Sequence, residues 1–282
     1  MRIFLAAPDS SAGYLDLSKH DNYLISYYYM NSDKKVQDFI QHAPDASILI
    51  DSGAFSAWKK NESIKIDQYI SFIKSNEKYF WNYVELDVKS NDTISVKESI
   101  KQTRQNQKIM EEAGLNPLPV FHANTIISSE ADEAKKYFNE LLEKYEYIFI
   151  GGMAGENINT AKLMELCDIL FKLNSRYKRK FHALGQSSSD IVLRYPWYSV
   201  DSTSWLQGAI SNRIFFLKNF IEIKSDKLEK KSFFNNICSP LLFDTEGQAT
   251  VWKKKIQHNV EIFNEYQYLI TELWKLRGIE WN

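Results

Sequence analysis

Short runs of apolar, β-branched and aromatic residues recur along the chain at Ile3–Ala7, Tyr23–Tyr28, Ile48–Asp51, Tyr83–Asp87, Leu118–Phe121, Tyr147–Gly151, Phe181–Leu184 and Tyr198–Asp201. Near-continuous apolar runs of four to six residues read as strands buried on both faces. Between most of them, apolar positions fall three and four apart, as in Ile66, Tyr69, Ile70 and Ile73, or Ala134, Tyr137, Phe138, Leu141 and Leu142. That spacing is one face of a helix. Thr93 is the expected cap of a helix running to Gly114, and Asn159 or Thr160 of one carrying Leu163, Met164, Leu166 and Leu170. Strands alternating with helices predict a parallel sheet, and eight such units match a (β/α)8 TIM barrel of the α/β class. An open doubly wound sheet is the competing architecture.

After the eighth run the pattern changes. Leu206 to Phe220 reads as a helix, "KSDKLEKK" (224–231) as a charged exposed segment, and Thr250 to Arg277 as one long amphipathic helix stopped by Gly278. The stripe of Trp252, Ile256, Val260, Phe263, Ile270 and Trp274 suits packing onto a barrel's flank. The expected division is therefore a barrel catalytic domain over 1–208 and a C-terminal helical extension over 209–282.

Composition narrows the class. A chain of 282 residues with 44% hydrophobic content can bury a full core, and a net charge of -1 argues against bulk attraction to nucleic acid without excluding a local basic groove. Cys167 and Cys238 cannot build a disulfide framework, and no Cys/His cluster has zinc-site spacing, so a cytoplasmic protein without structural metal is expected. The opening "MRIFLAAPDS" reads as the first strand rather than a leader, and no segment approaches a membrane span.

The acids then fall into a pattern. Asp51, Asp87 and Asp201 each close an apolar run at its C-terminal end, where barrel enzymes place their chemistry. His122, the Gly151-Gly152 pair and "HALGQ" (182–186) stand at the ends of three more. Six strands thus aim polar or glycine-rich groups at one mouth. Asp and Gly also favour turns, which is the plain alternative for each acid alone. Carboxylates without a metal set suit transfer at a sugar's anomeric carbon, where one carboxylate attacks or stabilises the oxocarbenium-like centre and another moves a proton.

The stretches "DSGAFSAW", "LDV", "IGGMAGE", "HALGQ" and "SVDSTSW" occur in the order seen in tRNA-guanine transglycosylases, and the chain resembles most their relatives, the phage and bacterial DNA 7-deazaguanine transglycosylases, over about residues 48 to 208. The resemblance implies a barrel enzyme that exchanges guanine in a nucleic acid, DNA rather than tRNA, for a 7-deazaguanine such as preQ0 or a derivative. It implies no cofactor, and it leaves a homodimer open. Carried over by position, Asp201 corresponds to the nucleophile that holds the sugar covalently, and Asp51 to the acid of base recognition and proton transfer. Asp87 corresponds to the carboxylate that reads the guanine-like edge. Phe55 and Leu184 fall where the base is sandwiched, Gly152 and Met153 where backbone approaches the base's carbonyl oxygen, and His122 where the tRNA enzymes have glutamine. Ser52, Gly53, Gly151 and Gly185 complete the implied substrate-binding set.

The departures also inform. Ala54 and Ser56 replace a glycine and a glutamine of the tRNA enzymes, Val88-Lys89 stands where they have a cysteine, and their zinc-binding subdomain has no counterpart after Asp201. A long helix bearing Lys253, Lys254 and Lys255 is the candidate nucleic-acid contact, against a solvated helix face as the plain reading. RNA stays open as substrate. Two other classes also fit: a retaining glycoside hydrolase, with Trp58, Trp197 and Trp205 as cleft aromatics, and a non-catalytic nucleic-acid-binding barrel with no use for Asp201.

Overall fold

In the computed structural model, residues 1–8, 20–153, 158–210, 213–216, 221–224 and 247–281 are described. All eight expected runs contribute parallel strands: β1 (Arg2–Ala6), β2 (Asn22–Ser26), β3 (Ser47–Asp51), β4 (Asn82–Tyr83), β5 (Val120–His122), β6 (Tyr147–Gly151), β7 (Lys180–Ala183) and β8 (Ser199–Ser202). They pair in the order β4-β3-β2-β1-β8-β7-β6-β5. The two ends meet at a parallel bridge between Val84 and Leu118, with hydrogen bonds from Leu118 N to Tyr83 O at 2.9 Å and from Glu85 N to Leu118 O at 2.9 Å. That contact closes the sheet into a (β/α)8 barrel and removes the open doubly wound alternative.

The closing seam is short because the regular ladder of β4 ends at Tyr83, rather than running to Asp87 as expected. Two devices replace it. The buried Glu85 carboxyl accepts the Val120 N–H at 2.8 Å, and burial pushes that carboxyl well above the usual range, so it is neutral. Beyond it, Asn106 donates to Leu86 O at 2.8 Å and Thr103 Oγ1 accepts from Val88 N at 2.9 Å, so the helix over Val96–Glu112 fixes the backbone around Asp87.

Helices α1 (Asp33–His42), α2 (Ala54–Lys59), α3 (Ile66–Asn76), α4 (Val96–Glu112), α5 (Ala131–Lys144), α6 (Thr160–Asn174), α7 (Ser189–Val192) and α8 (Ser204–Ile210) occupy the connections. Ser95, not Thr93, caps α4: its Oγ accepts the Glu98 N–H, while Thr93 is bound to Asn91 Oδ1. Glu130 adds its two carboxylate oxygens on the N–H groups of Val96 and Lys97, a favourable placement at a helix's positive end. Asn159 caps α6 as expected.

The two faces of each strand serve different cores. Ile3, Leu5, Ile48, Ile50, Ile148, Ile150, Phe181 and Val200 face the helices, while Phe4, Leu24, Leu49, Val84, Val120, Tyr147 and Phe149 fill the barrel. A filled interior leaves room for chemistry only at its ends. The C-terminal helix (Gly247–Leu276) lies against β1, α8 and the strand at Arg213–Phe216. Ile256, Val260, Phe263, Ile270 and Trp274 are buried, as their spacing predicts. The expected helix over Leu206–Phe220 is corrected: α8 stops at Ile210, and β9 (Arg213–Phe216) pairs antiparallel with β10 (Ile221–Lys224). Cys238 and all of "KSDKLEKK" beyond Lys224 lie outside the described residues. Among the described residues, no helix is long and apolar enough to cross a membrane.

Candidate functional site

Asp51 ends β3 on its inward face, in phase with Leu49, and accepts the Gly53 N–H on Oδ2 at 2.9 Å. Its carboxyl is pushed up to about 7, first by burial, then by repulsion from Asp87; the Gly53 bond opposes this, and Asp201 adds to it. Asp87 and Asp201 both act on Asp51 across the barrel mouth, so the three acids share one site. Gly53 makes the turn possible: its φ is +77°, and a Cβ there would sit 2.5 Å from Ser26 Oγ and from Tyr28 Cβ, too close for either. Gly53→Ala is therefore expected to lower stability by about 1–3 kcal/mol, seen as a lower thermal midpoint. An unchanged midpoint would mean the turn relaxes freely.

Across the seam, Asp87 Oδ2 lies 2.8 Å from His122 Nε2, and the buried Ser52 hydroxyl donates to Asp87 Oδ1 at 3.4 Å. A Cβ on Gly151 would stand 3.4 Å from His122 Nδ1 and 3.6 Å from Leu184 Cδ1, so these three residues adjoin. Gly152, with φ +68°, presents its bare Cα to Asn124 Oδ1. Buried His122 Nδ1, Asn124 Oδ1 and Ser26 Oγ have no hydrogen-bond partner among the described residues. Buried polar atoms rarely stay unpaired, so a ligand with complementary donors and acceptors would gain from meeting them.

Asp201, on β8, is held from two sides. Gly185 N–H donates to its Oδ1 at 2.9 Å and His182 Nε2 lies 3.1 Å from the same oxygen. Neither of these bonds falls on Oδ2. His182 is fully buried, stacked on Phe149 with ring centroids 4.3 Å apart, and burial pushes its imidazole below the ordinary value. It is therefore neutral, and facing a carboxylate it carries its proton on Nε2. Nδ1 then accepts from Ser199 Oγ at 2.6 Å, and Ser199 accepts from Tyr147 at 2.5 Å.

No family model and no curated protein sequence matches the chain. Solved structures do resemble it. The carboxyl transferase domain of Rhizobium etli pyruvate carboxylase with 3-hydroxypyruvate aligns at 12% identity and a TM-score of 0.49, over 95% of this chain and 48% of that one. The tryptophan synthase alpha chain of Legionella pneumophila aligns at 9% identity and 0.46, over 92% and 91%. Orotidine 5'-monophosphate decarboxylase of Methanocaldococcus jannaschii complexed with the inhibitor BMP aligns at 11% and 0.38, over 71% and 87%. The chain thus spans about half the length of the carboxyl transferase it matches. None of the three is a transglycosylase, and nothing of their chemistry transfers to this chain.

The predicted site residues divide by position. Asp51, Ser52, Gly53, Asp87, His122, Gly151, Gly152, Leu184, Gly185 and Asp201 sit at or just beyond the C-terminal strand ends. Met153 brings backbone only, since its side chain is buried in the outer core and its carbonyl accepts from Gln186 Nε2 at 3.1 Å. Phe55 stands on the rim, half exposed and stacked near Trp58. Trp197 and Trp205 are fully buried, so two of the three aromatics weighed for a carbohydrate cleft are core residues. On the C-terminal helix, Thr271 bonds Met1, Gln267 bonds Ile3 and Asn259 bonds Trp205, so its N-terminal end rises toward the mouth. Of its lysines, Lys253 is exposed, Lys254 half-buried and Lys255 buried. Sequence reasoning missed His182 and Asn124. The former was findable, because a period of two puts His182 on the same face as Leu184.

Proposed function

We propose that the chain is a base-exchange glycosyltransferase that replaces guanine in a nucleic acid, DNA rather than tRNA, by a 7-deazaguanine through an Asp201-glycosyl intermediate. The observation that carries this is the convergence of Asp51, Asp87 and Asp201 at the C-terminal strand ends, with Asp201 tied through one oxygen and the Asp51 carboxyl pushed up to about 7. Asp201 Oδ2 attacks C1′, and the C1′–N9 electron pair leaves with the base. Asp51, protonated below about 7, delivers a proton to the departing guanine, and as carboxylate it takes one from the incoming base. Asp87 accepts from the ring N–H and amino donors that distinguish guanine from adenine, steadied by Ser52 and His122. Phe55 and Leu184 supply apolar contact to the base faces.

The reading is tested with radiolabelled guanine in single-stranded DNA, duplex DNA and tRNA, supplied with a 7-deazaguanine. A paired target must first leave the stack at a cost of a few kcal/mol, so unpaired guanine is expected to exchange faster than paired guanine. Absence of label release from every nucleic acid, or release of sugar from an oligosaccharide instead, would defeat the proposal.

A further inference from the structure

Three loops on the mouth side carry an uncommon surface. Tyr28 and Tyr29 follow β2, Phe55 to Lys60 form the turn and helix after β3, and Lys89 follows Asp87. Tyr29, Phe55 and Trp58 are 42%, 50% and 46% exposed. Phe55 and Trp58 lie nearly parallel with centroids 6.2 Å apart, and Tyr28 and Tyr29 meet edge to face at 5.0 Å. Lysines cover the rings: Lys59 Nζ stands 4.4 Å from the Phe55 centroid, Lys89 Nζ 4.7 Å from that of Trp58, and Lys60 Nζ 5.0 and 5.3 Å from those of Tyr28 and Tyr29. Glu62 accepts from the Tyr28 hydroxyl at 2.6 Å.

We infer that this rim is the track for a single-stranded polynucleotide, with Trp58, Tyr28 and Tyr29 stacking bases that flank the target and Lys59, Lys60 and Lys89 meeting their phosphates. The inference rests on the nucleic-acid reading of the site and extends it from the target base to its neighbours. Charge complementarity chooses the occupant. Lysine is depleted at the core of protein–protein interfaces, and a neutral sugar chain has no use for three ammonium groups. A single strand supplies both a π-face and a negative charge per nucleotide. The rim is also continuous with the acids, since Gly53 joins Asp51 to α2 and packs on Tyr28.

The experiment titrates the whole protein with fluorescein-labelled dT20, read by anisotropy across a salt series. This strand holds no guanine, so binding is independent of exchange. Trp58→Ala is expected to weaken binding about 5- to 150-fold, and Trp58→Phe to retain most of it. Lys60→Ala with Lys89→Ala is expected to lower the slope of log affinity against log salt by about 1.4, roughly 0.7 per lost phosphate contact. Unchanged far-UV circular dichroism in each variant excludes misfolding. Failure of the wild type to bind, rim variants that bind as wild type, or a slope lost only on Lys253→Ala and Lys254→Ala would each overturn the inference. Binding of dT20 without guanine exchange would sink the exchange reading and leave the rim standing.

Discussion

Asp201→Asn is expected to abolish base exchange, by on the order of 10⁴-fold or more, and to eliminate any covalent nucleic-acid adduct. The substitution is nearly silent structurally. Both the Gly185 N–H and the His182 ring address Oδ1, and asparagine keeps an oxygen there to accept them. What changes is the other position, where an amide nitrogen replaces the oxygen assigned the attack on C1′. The variant should fold, melt and bind dT20 like the wild type. Denaturing gels of enzyme trapped on guanine-containing DNA check the result, and an adduct that survives in Asp201→Asn removes this residue from the nucleophile's role.

Asp51→Asn is expected to slow exchange by ~10²–10⁴-fold, the usual scale of a lost proton-transfer group, while raising stability at alkaline pH. The two effects have one origin. In the unfolded chain the carboxyl gives up its proton near 3.8, but the folded protein holds it to about 7. Between those values the folded state binds more protons, so stability falls as pH rises through this window and levels off above it. The full loss is on the order of a few kcal/mol. Asparagine cannot ionise and avoids that loss, so the thermal midpoint of Asp51→Asn should exceed the wild type's at pH 8 and match it at pH 4. Single-turnover guanine release should fall as pH rises past 7 in the wild type, without that limb in the variant. A limb that persists in Asp51→Asn assigns the titration to another group.

The barrel was legible because its strands are buried on both faces and read as unbroken apolar runs, and the site because three such runs close on an acid at the same end. Boundaries were less so. The strand expected to reach Asp87 pairs regularly only to Tyr83, since side chains of α4 and Glu85 take over its hydrogen bonding, which no local pattern announces. Residues Leu206–Phe220 failed for a different reason. At Arg213–Phe216 tertiary contacts override the local pattern: Asn259, 44 positions away, accepts the Phe215 N–H at 3.1 Å. The rim was not legible as one surface because its lysines and rings come from three separate segments, each of which fits another reading: Tyr28 the end of a strand, Phe55 a base contact, Trp58 a cleft aromatic.

The ties behind Asp201 have a kinetic meaning. Donors run one way from Tyr147 through Ser199 and His182 to the carboxylate, and burial holds the tyrosine hydroxyl far above the range in which it would release a proton. The barrel floor is thus a cul-de-sac for protons, walled by Phe4 and Phe149. For the proposed exchange, the protons of the outgoing and incoming bases therefore come and go on the mouth side of Asp201, not through the floor. The first base must clear before the second enters, which makes the reaction an alternation of half-steps. Under the proposed reaction, hydrolysis would compete only in the interval between them, so the dwell of the glycosyl-enzyme would set how often an abasic sugar is left instead of a modified one.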